Sequence, residues 1–429
     1  MRPTDGGARP APRAALERWT ESLTRAGWSV PGADAEPVPV GDALGRVTAA
    51  PVAARWPSPR SACAAMDGIA VRAADLAGHA TAGLAGDGTV RLPAGSFEWV
   101  DTGDPMPDGA DTVVMREWLL PQEDGGVIVT EPDDGRAGGL AWPAVAGRHV
   151  RAAGEDFAAG EPLVPAGRRL RPGDLAAVAA GGHATVPVAP RPVVAVIPTG
   201  DEIRPVGAAL RRGDITDTNS VMIAARCRQL DAVPLVSAVV PDDPDALAAE
   251  LRRTAAQADL VLVIAGSSRG RGDHAAAVLA QVGGVAVAGV AVRPGHPALL
   301  GHAKRPEAGP RSGVAPVIGL PGYPLAAAVI FELFAVPVLG RLTGQAPAAE
   351  HVRARLDRDW SSPADVEDWV LVTLGPAGPD GLPSATPARR GAGSISQLAR
   401  ADAWWPIPAG QCDLPAGTAI RVLPIGPPS

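Results

Sequence analysis

The segment VVAVIPTGDEIRPVGAALRRGDITDTN, residues 193–219, indicates which kind of sheet this chain forms. It opens with the apolar run Val193–Ile197, which is typical of a strand buried on both faces of a parallel sheet. The strand is predicted to end at Pro198, because proline has no N–H to donate to a neighbouring strand. A second acidic turn follows at 214–217, and Asn219 begins the next helical pattern.

Polar and acidic residues follow this strand directly: Thr199, Gly200, Asp201 and Glu202. Open parallel sheets bind ligands at the carboxyl ends of their strands, so these residues and the 214–219 turn are predicted to line a ligand site. Acidic groups beside a phosphate usually indicate a divalent cation. Taken singly, TGDE is typical of a surface turn and DTN of a helix cap, and only their occurrence together after a buried strand favours a site.

The composition is that of a globular protein with a substantial core. Hydrophobic residues make up 46% of the 429 and charged residues 20%, and the length predicts about three or four domains. A net charge of −7 without a basic run argues against nucleic acid or an anionic membrane as a partner. We expect no apolar run of the ~18 residues that span a bilayer, no signal peptide, and a cytoplasmic location. The three cysteines are scattered and fit neither a zinc site nor a disulfide framework.

The periodicity of the chain predicts four domains. Alternating strands and helices over residues 189–345 predict a doubly wound α/β domain. Short strands broken by Gly, Pro and Asp predict a small β domain at 51–146, and residues 346–429 read as a second β domain. Residues 1–50 and 147–188 are predicted to form a discontinuous domain of helical and extended linker.

Three glycine-rich turns follow strands of the predicted α/β domain, at 265–273, 293–297 and 319–324. Glycine lets backbone N–H groups approach an anion, and a following helix N-terminus adds a favourable dipole. Three such turns at one sheet edge favour a phosphorylated ligand. The chain has neither a Walker lysine motif nor a G-x-G-x-x-G after its first strand, which argues against ordinary ATPases and dinucleotide enzymes.

Motifs distributed along nearly the whole chain carry a family resemblance. They are ALGRV (43–47), AMDGIAVRAADL (65–76), DTGDPMPDGADTVVMRE (101–117), RAAGEDFAAGEPLVPAGRRL (151–170), PTGDEI…DTN (198–219), RPGHP (293–297), LPGYPLAA (320–327) and GAGSISQLARADAWWPIPAG (391–410). In this order they resemble the molybdopterin molybdenumtransferases, the MoeA-type molybdenum insertases that include the E domain of gephyrin.

The resemblance implies a fold and an activity. The fold is α/β plus β, with a doubly wound MogA-like α/β domain, a small β domain inserted near the N-terminus and a C-terminal β domain. The activity is insertion of molybdate into adenylated molybdopterin, with Mg²⁺-assisted release of AMP, in molybdenum cofactor biosynthesis. The implied assembly is a homodimer. Further expected partners are the molybdopterin adenylyltransferase and molybdoenzyme apoproteins, with no nucleic acid and no membrane.

The resemblance also implies roles for individual residues. Catalytic roles fall on Asp67, Asp156, Glu202 and Asp273. Binding of the pterin, phosphate or oxyanion falls on Thr199, Gly200, Asn219, Gly266, Ser267, Ser268, Arg293, His296 and Ser394. Metal binding falls on Asp201, Glu202, Asp217 and Asp273. Arg293 and His296 are predicted to form one oxyanion pocket.

Several loops depart from the family pattern. The turn after the third strand is AGSSRGRGDH rather than SGGVSxGxxDY, RPGHP replaces KPGKP, and LPGYP replaces LPGNP. Lys304 is the only lysine of the chain, so Arg293 is explained by composition, but His296 is not. These departures leave an alternative open: a non-catalytic carrier or scaffold that binds molybdopterin and has lost metal insertion. A sugar-phosphate or nucleotide enzyme on the same fold is a third interpretation, by fold analogy alone.

Overall fold

The computed structural model describes residues 9–30, 35–82, 89–130, 145–265, 274–306, 313–344, 351–391 and 395–425. The chain divides into two compact units. Met1–Asp34 and Ala189–Ser429 form the main unit, and Ala35–Val188 form the insert unit.

The first helix, α1 (Pro12–Arg25), belongs to the main unit. Its buried stripe of Ala15, Trp19 and Leu23 follows helical spacing, and the indole N–H of Trp19 donates to the carbonyl of Gly301 at 2.7 Å. The prediction that residues 1–50 share a domain with residues 147–188 does not hold for α1. An apolar stripe predicts that a helix is buried, but it does not identify the partner.

The insert unit consists of short antiparallel strands and two α-helices in its described part. The strands are β1 (Glu36–Pro39), β2 (Val52–Ala53), β3 (Cys63–Ala64), β4 (Gly68–Val71), β5 (Val90–Leu92), β6 (Glu98–Val100), β7 (Thr112–Met115), β8 (Leu119–Pro121), β9 (Val127–Val129), β10 (Val150–Arg151), β11 (Pro162–Val164) and β12 (Thr185–Val188). The helices are α2 (Ala73–Ala82) and α3 (Pro172–Ala180), with 3₁₀ turns at Val40–Asp42 and Arg116–Trp118. Two three-stranded sheets, β6-β4-β7 and β5-β9-β8, form its β part, as the sequence predicts.

A six-stranded sheet with helices on both faces organises the main unit. The elements of this part of the main unit are β13 (Val193–Pro198), β14 (Ile203–Arg204), β15 (Ile215–Thr216), α4 (Asn219–Gln229), β16 (Val233–Val236), α5 (Pro244–Ala255), β17 (Leu260–Ala265), α6 (Ala275–Val282), β18 (Gly283–Ala288), β19 (Val292–Arg293), β20 (Leu299–Lys304), β21 (Val314–Pro321), α7 (Pro324–Ile330), a π-helical turn (Phe331–Ala335) and α8 (Val336–Leu342). The strand order is β16-β13-β17-β21-β20-β18, in which the first four strands are parallel and the last two antiparallel to their neighbours.

The two faces of β13 show why the sheet is doubly wound. Val194 and Val196 pack in one core with α1, α4 and α7, whereas Ala195 and Ile197 pack in another with α5 and α6. All of these side chains are buried, which explains the continuous apolar run. The predicted doubly wound α/β class is confirmed.

Two strands of this sheet differ from the sequence predictions. The apolar runs 235–240 and 285–292 each predict a strand, but the structure has these strands at Val233–Val236 (β16) and Gly283–Ala288 (β18). Strand β20 was not predicted at all. It approaches β18 so closely that a Cβ on Gly301 would lie 2.2 Å from the carbonyl oxygen of Gly284. Glycine permits this approach, yet its presence lowers the strand signal in the sequence.

The C-terminal part of the main unit is a second sheet. Its elements are β22 (Val352–Leu356), β23 (Trp360–Ser361), β24 (Glu367–Ala377), β25 (Pro383–Pro387), α9 (Ile395–Arg400), β26 (Ala403–Ile407), β27 (Asp413–Leu414) and β28 (Ala419–Pro424). The order is β19-β24-β25-β22-β28-β26, and β24 also pairs with β26, which closes the sheet on itself. Strand β19 joins the two parts of the unit, because Arg293 is opposite Asp368 in the β19–β24 register.

The continuous helical run Pro324–Leu342 is long and apolar enough to cross a membrane, contrary to the expectation from the sequence. More than half of it is buried inside the protein, and Phe331 and Phe334 lie in the core beneath the sheet. Glu332 on this run pairs with Arg226 of α4 at 2.7 Å. The run is therefore a core helix of the main unit.

Candidate functional site

The TGDE turn is fastened to the carboxyl ends of the central strands. Both the N–H and the hydroxyl of Thr199 donate to the carbonyl of Ile264 at 3.0 Å, and the N–H of Gly200 donates to Val240 at 3.1 Å. Gly200 has φ +132°, and a Cβ there would lie 2.9 Å from Cγ1 of Ile203. Only glycine fits this conformation and this space.

The acidic residues of this edge have different surroundings. The carboxylate of Asp201 accepts from the N–H of Asp242 at 3.2 Å, and that of Asp217 accepts from Ser220 at the start of α4 at 3.0 Å. Glu202 is exposed, and its side chain makes no hydrogen bond or ion pair within the described ranges. In that same part of the chain, no three His, Cys, Asp or Glu side chains gather as a metal site. Glu202 is thus an acid at this edge whose whole carboxylate is available to a ligand.

Asn219 connects two of the predicted loops. Its side-chain amide donates to the carbonyl of Gly322 at 2.8 Å, which joins the DTN turn to the LPGYP turn. Asn219 is only 7% exposed, and its Oδ1, like the hydroxyl of Ser220, is buried without a hydrogen-bond partner among the described residues. Buried polar atoms are normally satisfied, so these two oxygens are suited to a ligand or an ordered water.

Several predicted residues cannot be placed. Gly266, Ser267, Ser268, Asp273 and Ser394 lie outside the described residues.

Arg293 of the RPGHP turn is held by a buried carboxylate. Its Nε and Nη2 lie 3.2 Å from the two oxygens of Asp368, and Nη1 of Arg390 lies 3.1 Å from one of them. The hydroxyl of Ser362 donates to the same carboxylate at 3.0 Å. Asp368 is 2% exposed, so burial raises the pKa of its carboxyl group while the charge of Arg293 opposes that rise.

These side chains border a cavity of about 220 Å³, here called the C-terminal cavity. Arg293, Arg389, Arg390 and Asp368 supply its charges, and Trp360 and Trp369 are among its apolar walls. Among the described lining residues, three guanidinium groups against one carboxylate leave a net charge of +2. Such a site favours a small anion with two negative charges, because it is only partly solvated and already holds the charges in place.

His296, three residues further on, lines a different cavity. This sheet-edge cavity, about 140 Å³, lies between the ends of β17 and β21, at Ala265 and 319–321, and the first turn of α6. Arg9 also lines it. Arg293 and His296, predicted to form one oxyanion pocket, therefore line two different cavities.

The predicted catalytic aspartates of the insert unit are both exposed. The N–H and hydroxyl of Thr102 donate to Asp67 at 2.7 and 2.8 Å, and with Arg116 nearby they hold the pKa of Asp67 below its usual value. Gly68 is required beside it, since a Cβ there would meet the carbonyl oxygen of Val114 at 1.9 Å. The N–H of Asp156 donates to Ser58 at 2.9 Å.

Sequence reasoning missed Arg9, Asp368, Arg389 and Arg390. The Arg389–Arg390 pair directly precedes the GAGS motif that carried part of the resemblance, so its position was a usable signal. Asp368 lies in an ordinary strand pattern, and only the pairing of β19 with β24 brings it to Arg293.

Comparisons with known proteins agree along the chain. Residues 12–182 match the MoeA N-terminal region (domain I and II), residues 195–341 the probable molybdopterin binding domain, and residues 353–425 the MoeA C-terminal region (domain IV). The chain is 31% identical to the molybdopterin molybdenumtransferase of Nostoc sp., over 91% of this chain and 88% of that protein. It is 32% identical to molybdopterin molybdenumtransferase 2 of Mycobacterium tuberculosis, over 90% of this chain and 94% of that protein.

A solved structure gives the same result. The crystal structure of the molybdopterin biosynthesis MoeA protein from Pyrococcus horikoshii superposes with a TM-score of 0.79 at 28% identity, covering 98% of this chain and 100% of that one. The chain therefore belongs to the MoeA family, the molybdopterin molybdenumtransferases of molybdenum cofactor biosynthesis.

Proposed function

We propose that this enzyme inserts molybdate into adenylated molybdopterin and releases AMP with the help of Mg²⁺. The C-terminal cavity carries the proposal. Its net charge of +2 complements the molybdate dianion, and Asp368 fixes two of its three arginines at 3.1–3.2 Å. Cations that are oriented before the anion arrives bind it without a further ordering cost.

The organic part of the substrate is assigned to the carboxyl edge of the sheet. Thr199 and Gly200 fasten the turn there, and Asn219 and Ser220 offer two buried oxygens without partners. A pterin ring carries N–H donors that such acceptor oxygens can bind. The RPGHP turn contributes to both cavities, because Arg293 lines the C-terminal cavity and His296 lines the sheet-edge cavity.

The magnesium ion belongs to the proposal as well. Carboxylate oxygens are the ligands it prefers, and Glu202, together with Asp273, would hold it. The bound ion would neutralise charge that develops on the phosphate during AMP release. Asp67 and Asp156 remain the proposed catalytic carboxylates of the insert unit. The lowered pKa of Asp67 keeps it ionised near neutral pH, so it acts as an anion rather than as a proton donor.

The experiment is a single-turnover assay of AMP release by the purified chain. Adenylated molybdopterin is incubated with Mg²⁺, with and without molybdate. Release that depends on both ions supports the insertase, whereas binding of the pterin without AMP release supports the carrier. Glu202→Gln is expected to slow release by about 100-fold, because a metal ligand acts mainly in the transition state. Glu21→Gln, on the exposed face of α1, is the matched control and should leave the rate unchanged.

The quaternary structure is tested separately. We propose a homodimer, as in the family pattern. Light scattering of the purified chain at micromolar concentration should then give about twice the 43.4 kDa of one chain. A species of only 43.4 kDa would contradict this part of the proposal.

A further inference from the structure

Arg9 reaches the sheet-edge cavity from the segment that precedes α1. The carbonyl of Pro10 accepts from the N–H of Ala291 at 2.8 Å, which fixes this segment along residues 289–291. The Nε of Arg9 lies 3.1 Å from the position that a Cβ on Gly289 would take, so the guanidinium group rests against that glycine. Arg9 lines the cavity although it is far from the sheet in sequence.

The loop beneath Arg9 also carries His296. Gly289 donates to the carbonyl of Ala298 at 2.8 Å, and Val290 donates to that of His296 at 3.0 Å. These bonds fold residues 289–298 into a compact loop, with Arg9 against one end and His296 near the other. The two side chains therefore border one cavity on one rigid support.

The described lining of the sheet-edge cavity carries no negative charge. Among its described lining residues, Arg9 and His296 are the ones with ionisable side chains, and none is a carboxylate. Arg9 forms no ion pair within the part of the chain that the structure describes. The first turn of α6 borders the same space, and a helix N-terminus adds positive potential. The remaining walls are small or apolar residues such as Ala265, Gly319 and Pro321, which leave room for a tetrahedral anion.

We propose that the sheet-edge cavity is a phosphate subsite and that Arg9 supplies its permanent positive charge. A guanidinium group binds phosphate oxygens with two parallel N–H bonds, which suits a phosphate monoester. His296 borders the same space from the RPGHP turn. This proposal rests on the proposed function, because the phosphate bound in the sheet-edge cavity is that of the adenylated substrate or of the AMP product.

The test measures AMP binding by calorimetry at low ionic strength, because salt screens exposed charges. Arg9→Gln is expected to weaken AMP binding by about tenfold, as for loss of one partly exposed charge pair. Arg9→Lys keeps the charge and should recover part of the affinity. Arg18→Gln is the matched control, because it removes one exposed arginine from α1 without touching the cavity, and it should bind AMP like the wild type.

Two further titrations separate this proposal from the proposed function. Adenosine lacks the phosphate, so its binding should not change in Arg9→Gln, and molybdate binding should also stay at the wild-type value. If Arg9→Gln binds AMP as tightly as Arg18→Gln does, the proposal is overturned. If the wild type shows no molybdate-dependent AMP release but Arg9→Gln still loses AMP affinity, the phosphate subsite stands and the insertase does not.

Discussion

The two cavities beside the RPGHP turn solve the problem of holding an anion in different ways. In the C-terminal cavity, Arg293 and Arg390 converge on the buried carboxylate of Asp368. In the sheet-edge cavity, Arg9 lies against Gly289, and no carboxylate occurs among the described lining residues. One cavity has its cations oriented by an internal counter-ion, and in the described lining of the other Arg9 is the permanent cation, with no ion pair to a described residue.

The difference shows what a counter-ion contributes to a binding site. Asp368 cancels one of three positive charges, but it fixes the direction of two guanidinium groups before any ligand arrives. Arg9 keeps its whole charge for the ligand, but no ion pair within the described residues fixes its direction. We therefore expect the C-terminal cavity to be sensitive to changes that disturb geometry, and the sheet-edge cavity to be sensitive mainly to loss of charge.

The largest expected effect follows from removing the counter-ion. Asp368→Ala leaves Arg293 and Arg390 without their buried counter-ion, and it should lower the free energy of unfolding by about 2–3 kcal/mol. This loss is smaller than is usual for breaking a buried ion pair, because both arginines are partly exposed. The measurement is urea unfolding. Asp380→Ala breaks the exposed Arg355–Asp380 pair and serves as control, with a much smaller loss. Equal losses in the two variants would show that Asp368 has no special role.

The pH dependence of stability should differ in sign for the same two aspartates. Burial raises the pKa of Asp368, so folding favours its protonated form. The stability that results is complete below the unfolded pKa of about 4 and is lost as pH rises through the folded pKa. The hydrogen bond from Arg355 lowers the pKa of Asp380, so its contribution is present above about 4 and is lost as pH falls through the folded pKa. Unfolding midpoints of the wild type, Asp368→Asn and Asp380→Asn across pH measure this. Slopes of the same sign would refute the burial argument.

The smallest expected effect comes from a change that keeps the charge. Arg293→Lys retains a cation but cannot make the two-point contact with Asp368. We expect molybdate affinity to fall by roughly threefold, since geometry rather than charge is lost. Calorimetric titration checks this, with Arg353→Lys on the exposed side of β22 as control. A loss as large as that from removing an arginine would contradict the role given to orientation.

Much of the fold could be predicted from local patterns. The apolar runs 193–197 and 260–264 are central strands because burial on both faces requires continuous hydrophobicity. Strand β20 escaped prediction because it contains Gly301 and His302 and lies antiparallel to its neighbours in an otherwise βα-repeating segment. The surface against which α1 packs could not be predicted for another reason: the apolar stripe of α1 around Trp19 can pack against any apolar surface of similar width.

The candidate site could be predicted only where motifs are local. Thr199, Gly200 and Asn219 follow strand ends or begin a helix, so their place at the sheet edge follows from topology. Asp368 and Arg9 approach the RPGHP turn only through tertiary pairing, across 75 residues in the case of Arg293 and Asp368. Neither of them carries a local sign of its role. The division of Arg293 and His296 between two cavities also depends on packing that no spacing encodes.

Molybdate titration of the wild type, Arg390→Gln and Arg353→Gln tests the central claim most directly. Arg390 lines the C-terminal cavity, whereas Arg353 is an exposed arginine of the same sheet that does not. The account predicts that Arg390→Gln weakens molybdate binding by about tenfold or more, at a cost of ~1–4 kcal/mol for one lost charge pair. Arg353→Gln should bind like the wild type. Equal molybdate affinity in all three proteins would contradict the assignment of the oxyanion to this cavity.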